Sequence, residues 1–353
     1  MSSSNSPIHD ALQESYQREL ANSILNTDNV EEILSITQTL LKTSLEWVEP
    51  ECFHFEISVG ATFGFVSSNG HRCMLKVFGP DCIESDLVSR TRFQNWINRQ
   101  GYTCPSVLMT PHWHNDMLFV VEEYLDSGRR ANGHDLPDRK LMAHQLSALV
   151  ELGRGYPLQD EIPTETLAPV PNSPWPKPHN ILFDFELPKK GAEWIDEVGE
   201  HYRPILDQMN GETVIGHMDW GAKHCRIKNN TISAVYDWDS VARTAETKVV
   251  GSAAANFTTT WYVECDNRPD VPEMISFITE YQHVRTRPFT ASECQEITAS
   301  IYYAAAYGAR CEYAGDQGQA NANTETREFL KMLISVDLDE LLKQQMQNIC
   351  FPR

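Results

Sequence analysis

The sequence predicts an α+β fold in two lobes, a small antiparallel sheet with a helix followed by a larger, mainly helical lobe. Three observations predict it. Short β-branched and aromatic runs cluster between His54 and Leu125, with a hairpin signal at Asn69-Gly70. Asp126-Ser127-Gly128 then breaks the pattern and reads as a hinge. Beyond residue 245 the apolar spacing is mainly helical. A chain of 353 residues can bury a sizeable core and accommodates more than one lobe. The expected division is a helical extension over 1–50, an N-terminal lobe over 51–126 and a C-terminal lobe over 127–353.

Taken in order, Leu20, Ile24 and Leu25, then Ile33, Leu34, Leu40 and Leu41, recur at helical spacing, so residues 1–47 read as helices packed outside a lobe. HFEISVGA, TFGFVSS and HRCMLKVF read as strands. In the last of these, Cys73, Leu75 and Val77 share one face and Met74, Lys76 and Phe78 the other. A lysine in so apolar a strand either snorkels from an edge or has a task. Residues 81–100 form a helix stopped by Gly101, and PSVLMT and MLFVVEEYL follow as a second hairpin. His112 and His114, in PHWHND, fall in the turn between those strands, where exposed histidines are the plain reading and a zinc-dependent hydrolase the remote one. Residues 138–153 and 191–209 are helical. The stretch from Pro157 to Pro178 holds seven prolines, too many for regular structure, and is either a lid or a wrap. TVIGH, HCRIKN and TISAVYDWDS are short strands, the last two joined at Asn229-Asn230. The aromatics Trp261, Tyr262, Tyr302 and Tyr303 read as core, and Glu264, Asp266 and Asp270 as a solvated face.

Composition excludes several classes. A formal charge of −20 disfavours a surface that tracks nucleic-acid phosphates, and it is compatible with a cationic partner. No apolar run is long enough to span a bilayer, and the N-terminus has neither a basic start nor an apolar core, so a cytoplasmic protein without a membrane partner is expected. Nine cysteines without a C-x-x-C pair argue against a disulfide framework or a cysteine-rich zinc site. Oligomeric state leaves no signal.

The chemistry concentrates in GHMDWGAKHCRIKNNTISAVYDWDS, residues 216–240. His217, Asp219 and His224 sit in a loop between strands, and Asp237 and Asp239 follow the next hairpin. Carboxylates at the ends of adjacent strands can converge, one accepting a proton from an attacking hydroxyl and another holding a cation against phosphate oxygens.

GHMDWGAKH resembles the H-G-D-x-H-x-x-N loop of the aminoglycoside phosphotransferase and choline kinase-like enzymes, and YDWDS resembles their I-D-W/F-E segment. The resemblance covers roughly residues 53–245 and implies a two-lobed protein kinase-like fold, with ATP held between a nucleotide-binding N-lobe and a catalytic C-lobe. It implies Asp219 as catalytic base, Asp237 as metal ligand and Lys76 as the grip on the α- and β-phosphates. FVVEEYLDSG resembles the strand that offers its backbone to adenine, which places Glu122, Glu123, Tyr124 and Leu125 at the nucleotide. The implied reactants are ATP with Mg²⁺ and a small-molecule hydroxyl.

The chain departs from that pattern at several points. His224 stands where the family has a metal-binding Asn; imidazole is a poorer ligand than an amide oxygen for Mg²⁺, so His224 either binds a phosphate oxygen, tolerates Mn²⁺ or marks lost activity. Met218 replaces a glycine, and Gly221 replaces the histidine two residues after the base. Arg90 occupies the helix position of the lysine's usual glutamate, leaving Glu84 or Asp86 as substitutes. Gly60 and Gly64 match a phosphate-covering turn only loosely. These departures motivate the alternative of a nucleotide-binding or regulatory module with weakened catalysis.

Overall fold

The computed structural model describes residues 6–165, 170–171, 173–186, 190–260, 267–316 and 324–350. Trp261, Tyr262, Glu264 and Asp266 lie outside the described residues. The chain divides into two compact units, Met1–Asp126 with His179–Ile181, and Ser127–Pro178 with Leu182–Arg353.

The first unit begins with α1 (Pro7–Ala11), α2 (Ser15–Leu25) and α3 (Val30–Leu45), whose entry is capped by the Asn29 side chain on the Glu32 N–H. Five strands follow: β1 (Glu51–Ile57), β2 (Gly60–Val66), β3 (Arg72–Phe78), β4 (Val107–His114) and β5 (Met117–Glu123). They form one antiparallel sheet in the order β1-β2-β3-β5-β4. The β2–β3 turn closes with Ser67 N–H donating to His71 O and Gly70 at φ +83°, a backbone conformation only glycine adopts at no cost. Phe63, Phe65, Cys73, Leu75, Val77 and Val121 are buried, while Met74, Lys76 and Phe78 alternate to the more open face. α4 (Glu84–Arg99) packs against β4. It ends in a Schellman arrangement, Tyr102 N–H to Ile97 O and Gly101 N–H to Asn98 O, with Gly101 at φ +90°.

The histidine pair is placed differently from expectation. His112 and His114 belong to β4, paired with Phe119 and Met117, and the turn is Asn115-Asp116. Pro111 is tolerated there because β4 is an edge strand whose register slips between Met109 and His112.

The second unit holds β6 (Arg129–Arg130), α5 (Leu136–Gly153), α6 (Glu193–Asp207), β7 (Thr213–His217), β8 (Cys225–Lys228), β9 (Thr231–Val235) and β10 (Val241–Ala245). It continues with α7 (Glu246–Asn256), α8 (Val271–Val284), α9 (Ala291–Gly315), α10 (Glu325–Ile334) and α11 (Leu338–Cys350). The strands make two small antiparallel sheets, β6-β8-β9 and β10-β7. Asn229 and Asn230, both at positive φ, turn β8 into β9. Helix α9 is the spine, touching α6, α7, α10 and α11, and its Ala299, Ala305, Ala306 and Ala309 are buried. Tyr302 and Tyr303 are core residues whose hydroxyls donate to Leu333 O and Pro174 O. Asp270, read from sequence as part of a solvated face, caps α8 in a reciprocal pair with Glu273.

Within the proline-rich stretch the described residues wrap rather than hang free. Trp175 is buried, its indole N–H 2.6 Å from Asp196 Oδ1, and Val170 N–H reaches Trp175 O. Cys73, Cys104, Cys225, Cys294 and Cys311 are buried free thiols, as their scatter implies. No described helix is long and apolar enough to cross a membrane.

Candidate active site

The loop after β7 is set by backbone bonds on three sides. Gly216 lets β7 approach α7, since a Cβ there would stand 2.3 Å from Val249 Cγ2. His217 pairs with Val241 of β10, and Met218 N–H extends the pairing to Ser240 O. Beyond Asp219, Ala222 N–H donates to Phe257 O and Lys223 N–H to Thr259 O, fixing a single 3₁₀ turn, Ala222–His224. Tyr236 N–H then donates to His224 O, bringing the end of β9 beside the loop. Asp237 itself adopts the left-handed conformation, φ 68°, and starts a second 3₁₀ turn, Trp238–Ser240. YDWDS is therefore a strand end and a turn, not the continuous strand its composition implied, and this kink swings Asp237 towards the loop.

The two acids meet at an imidazole. His224 Nε2 lies 3.1 Å from Asp219 Oδ2 and 3.6 Å from Asp237 Oδ2. Ligand atoms of Asp219, His224 and Asp237 all fall within 4.8 Å of one another, the one such group of three among the described residues. His112 and His114 join no such group there, so the zinc-hydrolase reading has no third ligand among the described residues. Lys223 Nζ stands 2.6 Å from Asp219 Oδ2, and Ser240 Oγ donates to Asp237 Oδ2 at 2.7 Å. Asp219 keeps 43% of its side chain exposed and Asp237 26%, so the carboxylates open to solvent, while Lys223 and His224 are largely covered.

Environment tunes these groups. Burial pushes the Asp219 carboxyl up, but the Lys223 charge and the His224 hydrogen bond outweigh it and hold the acid well below the usual carboxylate range. Burial, reinforced by nearby His224, pushes the His217 imidazole down to about 4. Its Nε2 faces Tyr236 O at 2.9 Å, so the neutral ring carries its proton there and donates it to the carbonyl. His217 thus fastens the loop to the end of β9. Trp220 and Trp238, both buried, flank it, and Trp238 Nε1 donates to Val235 O. Burial pushes the neighbouring Cys225 thiol up to about 12, which removes it as a nucleophile.

In the first unit, Lys76 Nζ lies 3.8 Å from Glu122 Oε2, both side chains largely buried. The cause is register: Lys76 faces Val120 across β3–β5, so Glu122, two residues along, is its diagonal neighbour on the same face. Helix α4 contributes Gln94, whose amide donates to Glu122 Oε1 at 3.0 Å. Glu84 is engaged elsewhere, accepting from Trp113 Nε1. The carboxylate at Glu122, beside Lys76, thus comes from the sheet. The Glu122 and Glu123 side chains are engaged within this unit. Glu122 lies in the β5 ladders, Glu123 N–H is taken by Ser106 O, and its carboxylate accepts from Ser106 Oγ. Tyr124 and Leu125 follow the strand, with the Tyr124 ring against Phe53. Gly64 is a packing glycine in mid-strand, where a Cβ would strike the Phe53 ring.

Among solved structures the chain is similar to an amicoumacin kinase in complex with AMP-PNP and Ca²⁺, at 8% identity and TM-score 0.63, covering 88% of this chain and 95% of that one. It is also similar to a microcompartment-associated aminopropanol kinase, at 12% identity and TM-score 0.56, covering 89% and 98%. A Plasmodium vivax ethanolamine kinase matches at 14% identity and TM-score 0.54, covering 96% and 94%. No protein-family model and no curated protein matches the sequence. At such identities the likeness is one of fold: the chain has the protein kinase-like fold of these small-molecule kinases.

Proposed function

We propose that the protein is an ATP-dependent phosphotransferase acting on the hydroxyl group of a small molecule. The convergence of Asp219 and Asp237 on His224 carries this reading, because phosphoryl transfer needs an oriented acceptor and concentrated charge more than covalent help. Solved structures of the same fold, named as kinases of amicoumacin, ethanolamine and aminopropanol, support it.

In the proposed reaction the acceptor hydroxyl oxygen forms a bond to the γ-phosphorus while the bond from that phosphorus to the β–γ bridging oxygen breaks. ADP leaves, and the hydroxyl proton passes to Asp219. A carboxylate held so acidic is a weak base. Its first task is therefore to accept the hydroxyl's hydrogen bond and aim it, taking the proton late, once bonding to phosphorus has acidified the hydroxyl. Lys76, steadied by Glu122, grips the α- and β-phosphates, and the backbone at Tyr124 and Leu125 receives the adenine. Asp237 and His224 fit a divalent cation, one carboxylate and one imidazole, a donor set that takes Mn²⁺ more readily than Mg²⁺. When bound, that cation supplies neutralising charge to the phosphates.

The test is ATP consumption against a panel of hydroxyl compounds, rich in amino alcohols because the chain carries a charge of −20. Asp219→Ala should lower turnover about a hundredfold or more, while the thermal shift produced by ATP with Mn²⁺ stays near that of the wild type. Full turnover in that variant would remove the mechanism. A nucleotide-induced shift without phosphate transfer to any acceptor would instead favour a regulatory nucleotide-binding module, the role that His224 and Gly221 leave open.

A further inference from the structure

Helix α4 reaches the lysine strand through a buried amide. Gln94 is 1% exposed, and its side-chain nitrogen donates at 3.0 Å both to Pro105 O and to Glu122 Oε1. Both partners are acceptors, so chemistry fixes which end of the amide faces them. The other carboxylate oxygen, Glu122 Oε2, stands 3.8 Å from Lys76 Nζ. One buried carboxylate is therefore shared between a neutral donor on the helix and a cation on β3.

The helix is well placed to hold that carboxylate. Asn95 Oδ1 accepts from Val107 N–H, and Asn98 Nδ2 donates to Cys104 O. With Gln94 on Pro105, three side chains of α4 pin residues 104–107. From the other side, Ser106 is bonded to Glu123 of β5. Gln94 continues past this segment to Glu122, so one residue ties helix, connecting segment and sheet together. Its neutrality matters. A cation at this point would compete with Lys76 for the carboxylate, and a second acid would repel it. An amide orients Glu122 while adding no charge of either sign.

We propose that Gln94 is a positioning residue for the nucleotide. Acting through Glu122, it aims Lys76 at the phosphates and makes that grip depend on where α4 lies against the sheet. The inference rests on the proposed phosphotransferase reading and adds the part that the helix plays in holding ATP.

Calorimetric titration of the full chain with ATP and Mn²⁺, arranged as a double-mutant cycle, tests it. Gln94→Leu keeps the volume and removes the donor; it should weaken ATP binding about fivefold, the scale of one net hydrogen bond. Glu122→Gln should weaken it about tenfold. Adding Gln94→Leu to Glu122→Gln should cost nothing further, because the amide then has no charged group to aim. In steady state the KM for ATP of Gln94→Leu should rise by more than kcat falls. Unchanged ATP affinity in Gln94→Leu, where Glu122→Gln weakens it, would overturn the role of Gln94 alone. An equal loss in both backgrounds, with a lowered melting temperature, would show a structural effect and overturn the relay through Glu122. ATP affinity unmoved in both single variants would overturn the relay as a whole. A wild type that binds no ATP would remove the phosphotransferase reading, and this inference with it.

Discussion

Lys223 and His224 reach the same oxygen of Asp219 from one short turn, and that crowding explains why the acid is held ionised while remaining open to solvent. His217, behind them, behaves in the opposite way, a buried ring kept neutral. Its folded-state pKa of about 4 lies below the unfolded 6.5, so its contribution is complete above 6.5 and is lost as the pH falls from there through about 4. The loss should amount to about 3 kcal/mol, and urea unfolding across that range, compared with His217→Gln, should show the variant falling less steeply. In the first unit, Glu122→Gln should weaken ATP binding about tenfold, the worth of one charge-assisted contact of about 1.5 kcal/mol. Glu84→Gln should leave ATP binding unchanged, since that carboxylate serves Trp113. Calorimetric titration would check both. Asp219, His224 and Asp237 were legible in the sequence because they are acids and an imidazole packed into strand–loop segments. The contacts of Lys223 and Glu122 were not legible, because nothing local says which oxygen an ammonium will meet. The pairing of Lys76 with Glu122 follows from a strand register that only the folded sheet defines.

At the scale of elements, the site is held by a buried ionic cluster at the start of α7, directly after β10. Glu246, 1% exposed, accepts from Arg285 through both oxygens, and also from Tyr281 and Arg154. Arg285 in turn reaches Glu293 at the start of α9. Glu246→Ala would leave Arg285 buried without its main counter-charge, so unfolding stability should fall by about 3–5 kcal/mol, measured as a lower urea midpoint. Strand alternation, the Asn-Gly and Asn-Asn turns and the Gly101 stop made most elements readable, since each is dictated by local sterics and burial. The extension of β4 through Pro111 was not, because an edge strand with a slipped register tolerates a residue that a central strand excludes. Nor was β10, whose identity as a strand depends on its partner β7.

For the whole molecule, the order of lysine strand, helix, acidic loop and second aspartate makes the kinase-like fold legible in the sequence, and the solved structures of the same fold agree. The central spine α9 was not legible, since its many buried alanines show helical propensity but no direction of packing. The chain's own residues supply two acids of different character, a covered lysine and an imidazole around one solvent-open point. Phosphorus-31 NMR of ATP incubated with Mn²⁺, an accepting alcohol and the protein tests their joint action most directly. A phosphomonoester signal should grow with ADP for the wild type and be absent, over the same period, for both Asp219→Ala and Asp237→Ala. Ester formation at an undiminished rate in either variant would contradict a phosphotransfer centre built from those two carboxylates.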